Sequence, residues 1–158
     1  KFSRQPDGDI LAMQVIEAIH ARLPNTHLVM HGSSSVPQDL QERFNAAGGA
    51  MPQTWGVPVA EIVRGIKHGV RKINIDTDCR LAMAAAMRAV AQKNAAEFDP
   101  RKFLQPARDA MRVLCRQRFE EFGAAGKAAR IKTVGLADMA KRYRSGQLDP
   151  RIAGARAA

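Results

Sequence analysis

A chain of 158 residues is long enough for one domain of ordinary size, and none of its apolar runs approaches the ~20 residues of a membrane-spanning helix. Two cysteines, Cys79 and Cys115, exclude a disulfide framework and a cysteine-based metal cluster. The net charge of +10 is lopsided: residues 1–78 hold as many Lys and Arg as Asp and Glu, so residues 79–158 carry all of it. With one Trp and one Tyr, the basic half lacks the stacking platforms of a single-strand binder. Nucleic acid is therefore not the expected partner, and a field that draws small anions is the better reading. No signal peptide is visible, which makes a reducing cytoplasm the expected compartment. The chain begins at Lys1 without Met, which suggests a fragment or a processed product.

In chain order, Gly8-Asp9 precedes "ILAMQVIEAIHARL", whose apolar residues recur at helical spacing from Ile10 to Leu23. Asp9 is the expected cap and Pro24-Asn25 the stop. "HLVMH" (His27 to His31) reads as a short buried strand. "PQDLQERFNAAGG" predicts a helix from Pro37 to the Gly48-Gly49 pair, and "VAEIVRGIKHG" a second ending at Gly69. "VRKINIDTD" (Val70 to Asp78) predicts a second strand. "CRLAMAAAMRAVAQKNAAEF" predicts a strong helix. "LQPARDAMRVLCRQRFEEFG" predicts another, with Met111, Leu114, Cys115, Phe119 and Phe122 on one face and Arg108, Arg112 and Arg116 on another. "LADMAKRY" is a last short helix, and residues 151–158 are expected to form a disordered tail.

Strands alternating with helices, with polar residues at the strands' carboxyl ends, indicate α/β architecture. Ligands of parallel sheets and barrels sit at those ends, and both informative loops lie there. Only two strands are visible, whereas a closed barrel needs eight and typically about 250 residues. Residues 1–150 therefore read as an incomplete barrel.

His31, at the exit of the first strand, is either a hydrogen-bonded edge histidine or a metal ligand. A catalytic zinc needs three protein ligands and an open position. His20, His27 and His68 are candidates by type only; His27 lies roughly 13 Å from His31 along an extended strand. Co-ligands of His31 are thus expected outside these residues. Gly32-Ser33-Ser34-Ser35 is either a flexible turn or a loop whose backbone N–H and hydroxyl groups meet an anion. In "NIDTD", a strand would turn Asn74, Asp76 and Asp78 to one side and Ile73, Ile75 and Thr77 to the other. The alternative is an edge strand with Asp78 capping the next helix.

"LVMHGSSSVP", "GVPVAEIVRGIKHGVRKINIDTDCRLA" and "EFDPRKFLQPARDAM" together resemble the C-terminal half of a class II, zinc-dependent fructose-1,6-bisphosphate aldolase. The likeness is greatest to the type found with Calvin-cycle enzymes of autotrophic bacteria, and it runs from Lys1 to about Pro150. The resemblance implies a TIM (β/α)8 barrel, helix-rich with few parallel strands in this portion. It implies reversible cleavage of fructose 1,6-bisphosphate to dihydroxyacetone phosphate and glyceraldehyde 3-phosphate, with a Zn2+ or another divalent metal and a homo-oligomeric complete enzyme. It makes His31 a metal ligand, and Gly32, Ser33 and Ser34 the phosphate loop, with Ser33 standing where the family more often has glycine. It makes Asn74, Ile75, Asp76 and Thr77 the second substrate segment, with Asn74 near the enediolate. Arg112 or Arg116 is the implied phosphate-binding arginine. The family's general acid/base Asp and its other two zinc histidines have no match here, so this chain alone is expected to be inactive. A tagatose-bisphosphate aldolase and a basic, non-catalytic interaction fragment are the alternatives.

Overall fold

The computed structural model describes residues 1–7 and 10–154. Six α-helices and two strands follow one another among these residues: α1 (Met13–Arg22), β1 (Leu28–Met30), α2 (Gln38–Ala46), α3 (Val59–Lys67), β2 (Val70–Ile73), α4 (Thr77–Lys93), α5 (Pro100–Glu121) and α6 (Leu136–Arg144). One 3₁₀ turn, Ala128–Arg130, lies between α5 and α6. The fold is α/β and helix-rich. β1 and β2 pair in parallel, with Leu28 opposite Val70 and Met30 opposite Ile73.

Two apolar clusters hold these elements. Met30, Val57, Ile62 and Val70 are buried between the sheet and α3, with Ile16 of α1 and Phe122 packed against them. Val36, Leu40, Leu81, Ala82 and Leu114 are buried where α2, α4 and α5 meet. Every buried Leu or Ile of this kind contributes about 1.5–3 kcal/mol over its exposed state. The two clusters flank one loop, residues 31–36, so core packing fixes the loop from both sides.

Several boundaries differ from expectation. α1 starts at Met13 rather than at Ile10, and Ala12 before it offers no side-chain cap; Asp9, the expected cap, lies outside the described residues. β1 is three residues long and excludes both His27 and His31. α5 starts at Pro100 rather than Leu104, because Asp99 and Pro100 make a cap and first-position pair. The Asp99 carboxylate accepts from Arg101 N at 2.9 Å.

The largest difference is at β2. The strand ends at Ile73 instead of running to Asp78. Asn74 N still donates to Met30 O at 3.0 Å. Beyond it, Asp76 N and Thr77 N both donate to Ser34 Oγ, at 3.2 and 3.0 Å. That hydroxyl draws the backbone out of the ladder and into the first turn of α4. The alternating face expected for Asn74, Asp76 and Asp78 therefore does not form. Asp78 is not a cap either, since α4 has already begun at Thr77.

Of the expected tail, residues 151–154 are described. Arg151 N donates to Asn25 Oδ1 at 2.7 Å and Ala153 N to Arg22 O at 2.9 Å, which lays this stretch along the end of α1. Residues 155–158 lie outside the described residues.

Candidate functional site at the strand ends

The chain leaves β1 at Met30 and β2 at Ile73, and parallel pairing brings the two exits side by side. His31 and Asn74 meet there: Asn74 Nδ2 lies 2.7 Å from His31 Nδ1. Both groups reach solvent. Nδ1 accepts from the Asn74 amide in this contact, so a ligand on Nδ1 would take the place of that hydrogen bond and leave the Asn74 N–H groups beside it. Lys72 Nζ also contacts Asn74 Oδ1, which holds the amide in one orientation.

Gly32 turns the chain away from the strand with φ of +66°, a region that glycine enters at little cost. Ser33 and Ser34 are then buried. The Ser34 hydroxyl accepts from Asp76 N and Thr77 N, so its lone pairs are engaged and its own proton remains to donate. Ser34 O accepts from Val57 N at 3.1 Å. Gly56 permits that approach, because a Cβ there would stand 2.0 Å from Ser34 O. Among the described residues, no protein acceptor engages the backbone N–H of Gly32, Ser33 or Ser34. The Ser33 hydroxyl is buried and has no protein partner. Buried polar groups in native structures nearly always find one, so a loop with spare donors is suited to an anion.

The loop is held by Asp78. Its carboxylate is fully buried. Oδ1 accepts from Val36 N at 2.8 Å, and Oδ2 accepts from Ser35 N and Ser35 Oγ, both at 3.0 Å. Val36 has φ of +51°, which is rare for a β-branched residue and costs of order 1–3 kcal/mol. The bond from its N–H to Asp78 offsets that strain. The reciprocal pattern, with Ser34 serving α4 and Asp78 serving the loop, makes one unit of the two exits.

Asp76 is exposed and pairs with Arg80 at 2.8 Å. Ile75 and Thr77 are half-buried. Ile75 O accepts a long contact from Cys79 Sγ. Burial, and then the neighbouring Cys115, push the Cys79 thiol up. A thiol so placed is a poor nucleophile at neutral pH, so Cys79 is no catalytic candidate.

The structure therefore brings together His31, Gly32, Ser33, Ser34, Asn74, Ile75, Asp76 and Thr77. Arg112 and Arg116 stand apart on the exposed side of α5, where Arg116 pairs with Glu120 at 3.1 Å. His20, His27 and His68 lie elsewhere, and His68 faces Glu17 at 3.4 Å. Among the described residues, no three His, Cys, Asp or Glu side chains converge to hold a metal ion. These residues supply one candidate donor, His31, and do not by themselves make a zinc site.

Two neighbours of the site escaped the sequence reading. Asp78 was read as a cap or a strand-face residue, and Arg118 was not singled out. The signal for Arg118 was its register: it falls on the buried stripe with Ala107 and Leu114, where a charge requires a partner.

The description "Fructose-bisphosphate aldolase class-II" matches residues 2–127. The chain belongs to the class-II fructose-bisphosphate aldolase family. Similar curated proteins include "Fructose-bisphosphate aldolase 2" of Cereibacter sphaeroides, 69% identical over 97% of this chain and 43% of that protein. "Fructose-bisphosphate aldolase" of Sinorhizobium medicae is 65% identical over the whole chain and 44% of its own length. "Fructose-bisphosphate aldolase" of Nostoc commune is 57% identical over 94% of the chain and 42% of its own length. The chain thus spans less than half the length of the aldolases it matches. Both strand-exit loops, Asp78 and Arg118 fall inside the class-II match; α6 falls outside it. Class-II aldolases are metal-dependent as a family, which gives His31 its interest.

Proposed function

We propose that these residues form the carboxyl-side portion of a (β/α)8-barrel aldolase that reversibly cleaves fructose 1,6-bisphosphate to dihydroxyacetone phosphate and glyceraldehyde 3-phosphate. Residues 1–150 belong to that barrel. The observation that carries the reading is the 2.7 Å approach of Asn74 to His31, beside a loop with unspent donors.

His31 is one ligand of a zinc or similar divalent ion whose other ligands lie outside this chain. When bound, such an ion supplies Lewis-acid polarisation of the ketone carbonyl. The remaining work of this chain is binding and orientation. Gly32, Ser33 and Ser34 receive the phosphate of dihydroxyacetone phosphate through backbone N–H groups and the free proton of Ser34, as charge-assisted hydrogen bonds. The Asn74 amide, held beside His31, donates toward the oxygen that gains charge as the enediolate forms. Ile75 carries the backbone between Asn74 and Asp76. Asp76 and Thr77 take sugar hydroxyl and phosphate groups. Arg112 or Arg116 meets the second phosphate in a homo-oligomer. The general acid/base is not among these residues. Among the described residues no helix is long and apolar enough to cross a membrane; a cytoplasmic location is part of this proposal.

The test is a graft: a full-length relative in which these residues replace its own matching segment. The graft is expected to cleave fructose 1,6-bisphosphate faster than the tagatose isomer, and His31→Ala is expected to abolish cleavage and lower the bound metal measured after dialysis. Unchanged cleavage in the His31→Ala graft would remove the metal role. A folded graft without cleavage would favour the non-catalytic alternative. Ser34→Ala should raise KM, whereas Asn74→Ala should lower kcat; identical signatures would argue against separate roles.

A further inference from the structure

α5 is a basic helix that keeps most of its arginines in water. Arg101, Arg108, Arg112 and Arg116 are all exposed. Arg118 is the exception, with a side chain only 7% accessible. Nη2 donates to Ser35 Oγ at 2.6 Å and lies 3.3 Å from Asp78 Oδ2, while Nη1 donates to Glu121 Oε2. A planar fork that spans a hydroxyl and two carboxylates is a task for arginine, and a lysine ammonium would not reproduce it.

Asp78 is fully buried and collects three donors from the loop. Arg118 is the cation at hydrogen-bonding distance from it among the described residues. A buried charge deprived of its partner is strongly destabilised. Removing the guanidinium would therefore weaken the hold of Asp78 on Ser35 N and Val36 N, and Val36, at φ of +51°, would relax toward ordinary backbone. Gly32, Ser33 and Ser34 immediately precede these residues, so their N–H groups would lose their common direction. Ser35 is tied twice, since its hydroxyl donates to Asp78 and accepts from Arg118.

We infer that Arg118 is a positioning residue for the phosphate-binding loop, acting through Ser35 and Asp78 without touching substrate. The inference rests on the reading of residues 32–34 as that loop. Two variants of the graft separate charge from shape: Arg118→Lys keeps the charge and loses the fork, and Arg118→Met keeps the length and loses the charge. Asp78→Asn/Arg118→Met removes both charges and guards against misfolding of the single variants. Each is first checked for a cooperative melt. Two quantities are then read: the dissociation constant for inorganic phosphate by calorimetry, and KM and kcat for fructose 1,6-bisphosphate.

In folded Arg118→Met, the phosphate constant and KM are both expected to rise about tenfold, the order lost with one well-placed charge-assisted hydrogen bond, with kcat changed much less. Arg118→Lys is expected to recover only part of the loss. A merely structural ion pair would lower the melting temperature and leave both constants of the folded protein unchanged; that result overturns the inference. Full recovery by lysine would overturn the role of the fork. A graft that binds phosphate but cleaves nothing would defeat the aldolase reading and leave the inference to be decided by the phosphate constant. A graft that binds no phosphate would overturn both.

Discussion

Residues 28–122 and residues 123–154 are built on different terms. The first region contains Asp78, Arg118, Ser33 and Gln41 as buried polar groups among its apolar clusters, and most of its core belongs to α2, α4 and α5. The second contains no buried residue, although it holds α6 and a run of basic side chains. The same class-II match that covers the first region stops at residue 127, while relatives remain similar through the second. Stability and the strand-exit loops are therefore concentrated in the first region. The second is a surface segment, tied to the end of α1 by hydrogen bonds at Asp149, Arg151 and Ala153.

That contrast predicts unequal responses to substitution. The largest belongs to Asp78→Ala. It removes the acceptor of Ser35 N and Val36 N and leaves the buried Arg118 with Glu121 as its remaining carboxylate, which should cost about 3–5 kcal/mol. Urea unfolding of the graft measures it, and a loss below about 1 kcal/mol, the scale of an ordinary surface substitution, would show that the unit is not interlocked. Gly56→Ala should come next. The added methyl would meet Ser34 O at 2.0 Å and must push the loop or the 52–57 stretch aside, a strain of about 1–3 kcal/mol. An unchanged melting temperature would mean that the loop yields freely.

The helices were legible because their apolar positions repeat at 3.6 residues and because caps and stops such as Pro37 and Gly48 punctuate them. The parallel pairing was legible from two short apolar runs with polar exits. What was not legible lies in side chains that act across the chain. Ser34 ends β2 from forty-odd positions away, and no local pattern around Asn74 announces it. Asp78 looks like a cap because Asp often is one, and its burial depends on where the 35–36 backbone passes. Arg118 disappears into a helix rich in arginines unless its register with Leu114 is followed. His31, the Gly32-Ser33-Ser34 loop, Asn74 and Asp76 stand out in the local sequence of the strand exits, whereas Thr77 enters only through the resemblance to the aldolase family.

A smaller effect is expected at the start of α5, where the comparison can be sharpened by pH. Hydrogen bonds from the Arg101 side chain, and then from its backbone N–H, hold the Asp99 carboxyl below its ordinary value of 3.8. A carboxyl lowered in the folded state contributes stability that is present above its unfolded pKa and is lost as pH falls through its folded pKa. The melting temperature of the graft should therefore exceed that of its Asp99→Asn variant at neutral pH. The gap should close as the pH falls below the ordinary carboxylate range. A gap that is constant across that range would assign the effect to shape rather than charge.

The smallest effect is expected in α6. Leu136 is 88% exposed and Tyr143 68%, so neither gains much from burial. Asp138 in the first turn and Lys141, Arg142 and Arg144 in the last complement the helix dipole. These end effects favour the helix, yet a nine-residue helix with only Met139 and Ala140 half-buried is marginal in water. Leu136→Ser should therefore change stability by no more than about 0.5 kcal/mol, whereas the same change at Leu114, which is 5% exposed, should cost several times more. Hydrogen exchange gives the sharper comparison, because locally opened segments exchange at free energies far below that of global unfolding. Amides of α6 should exchange orders of magnitude faster than those of α4 and α5. Equal protection in all three helices would mean that α6 is covered by a surface beyond these residues, and Leu136 and Tyr143 would then be its anchors rather than idle side chains.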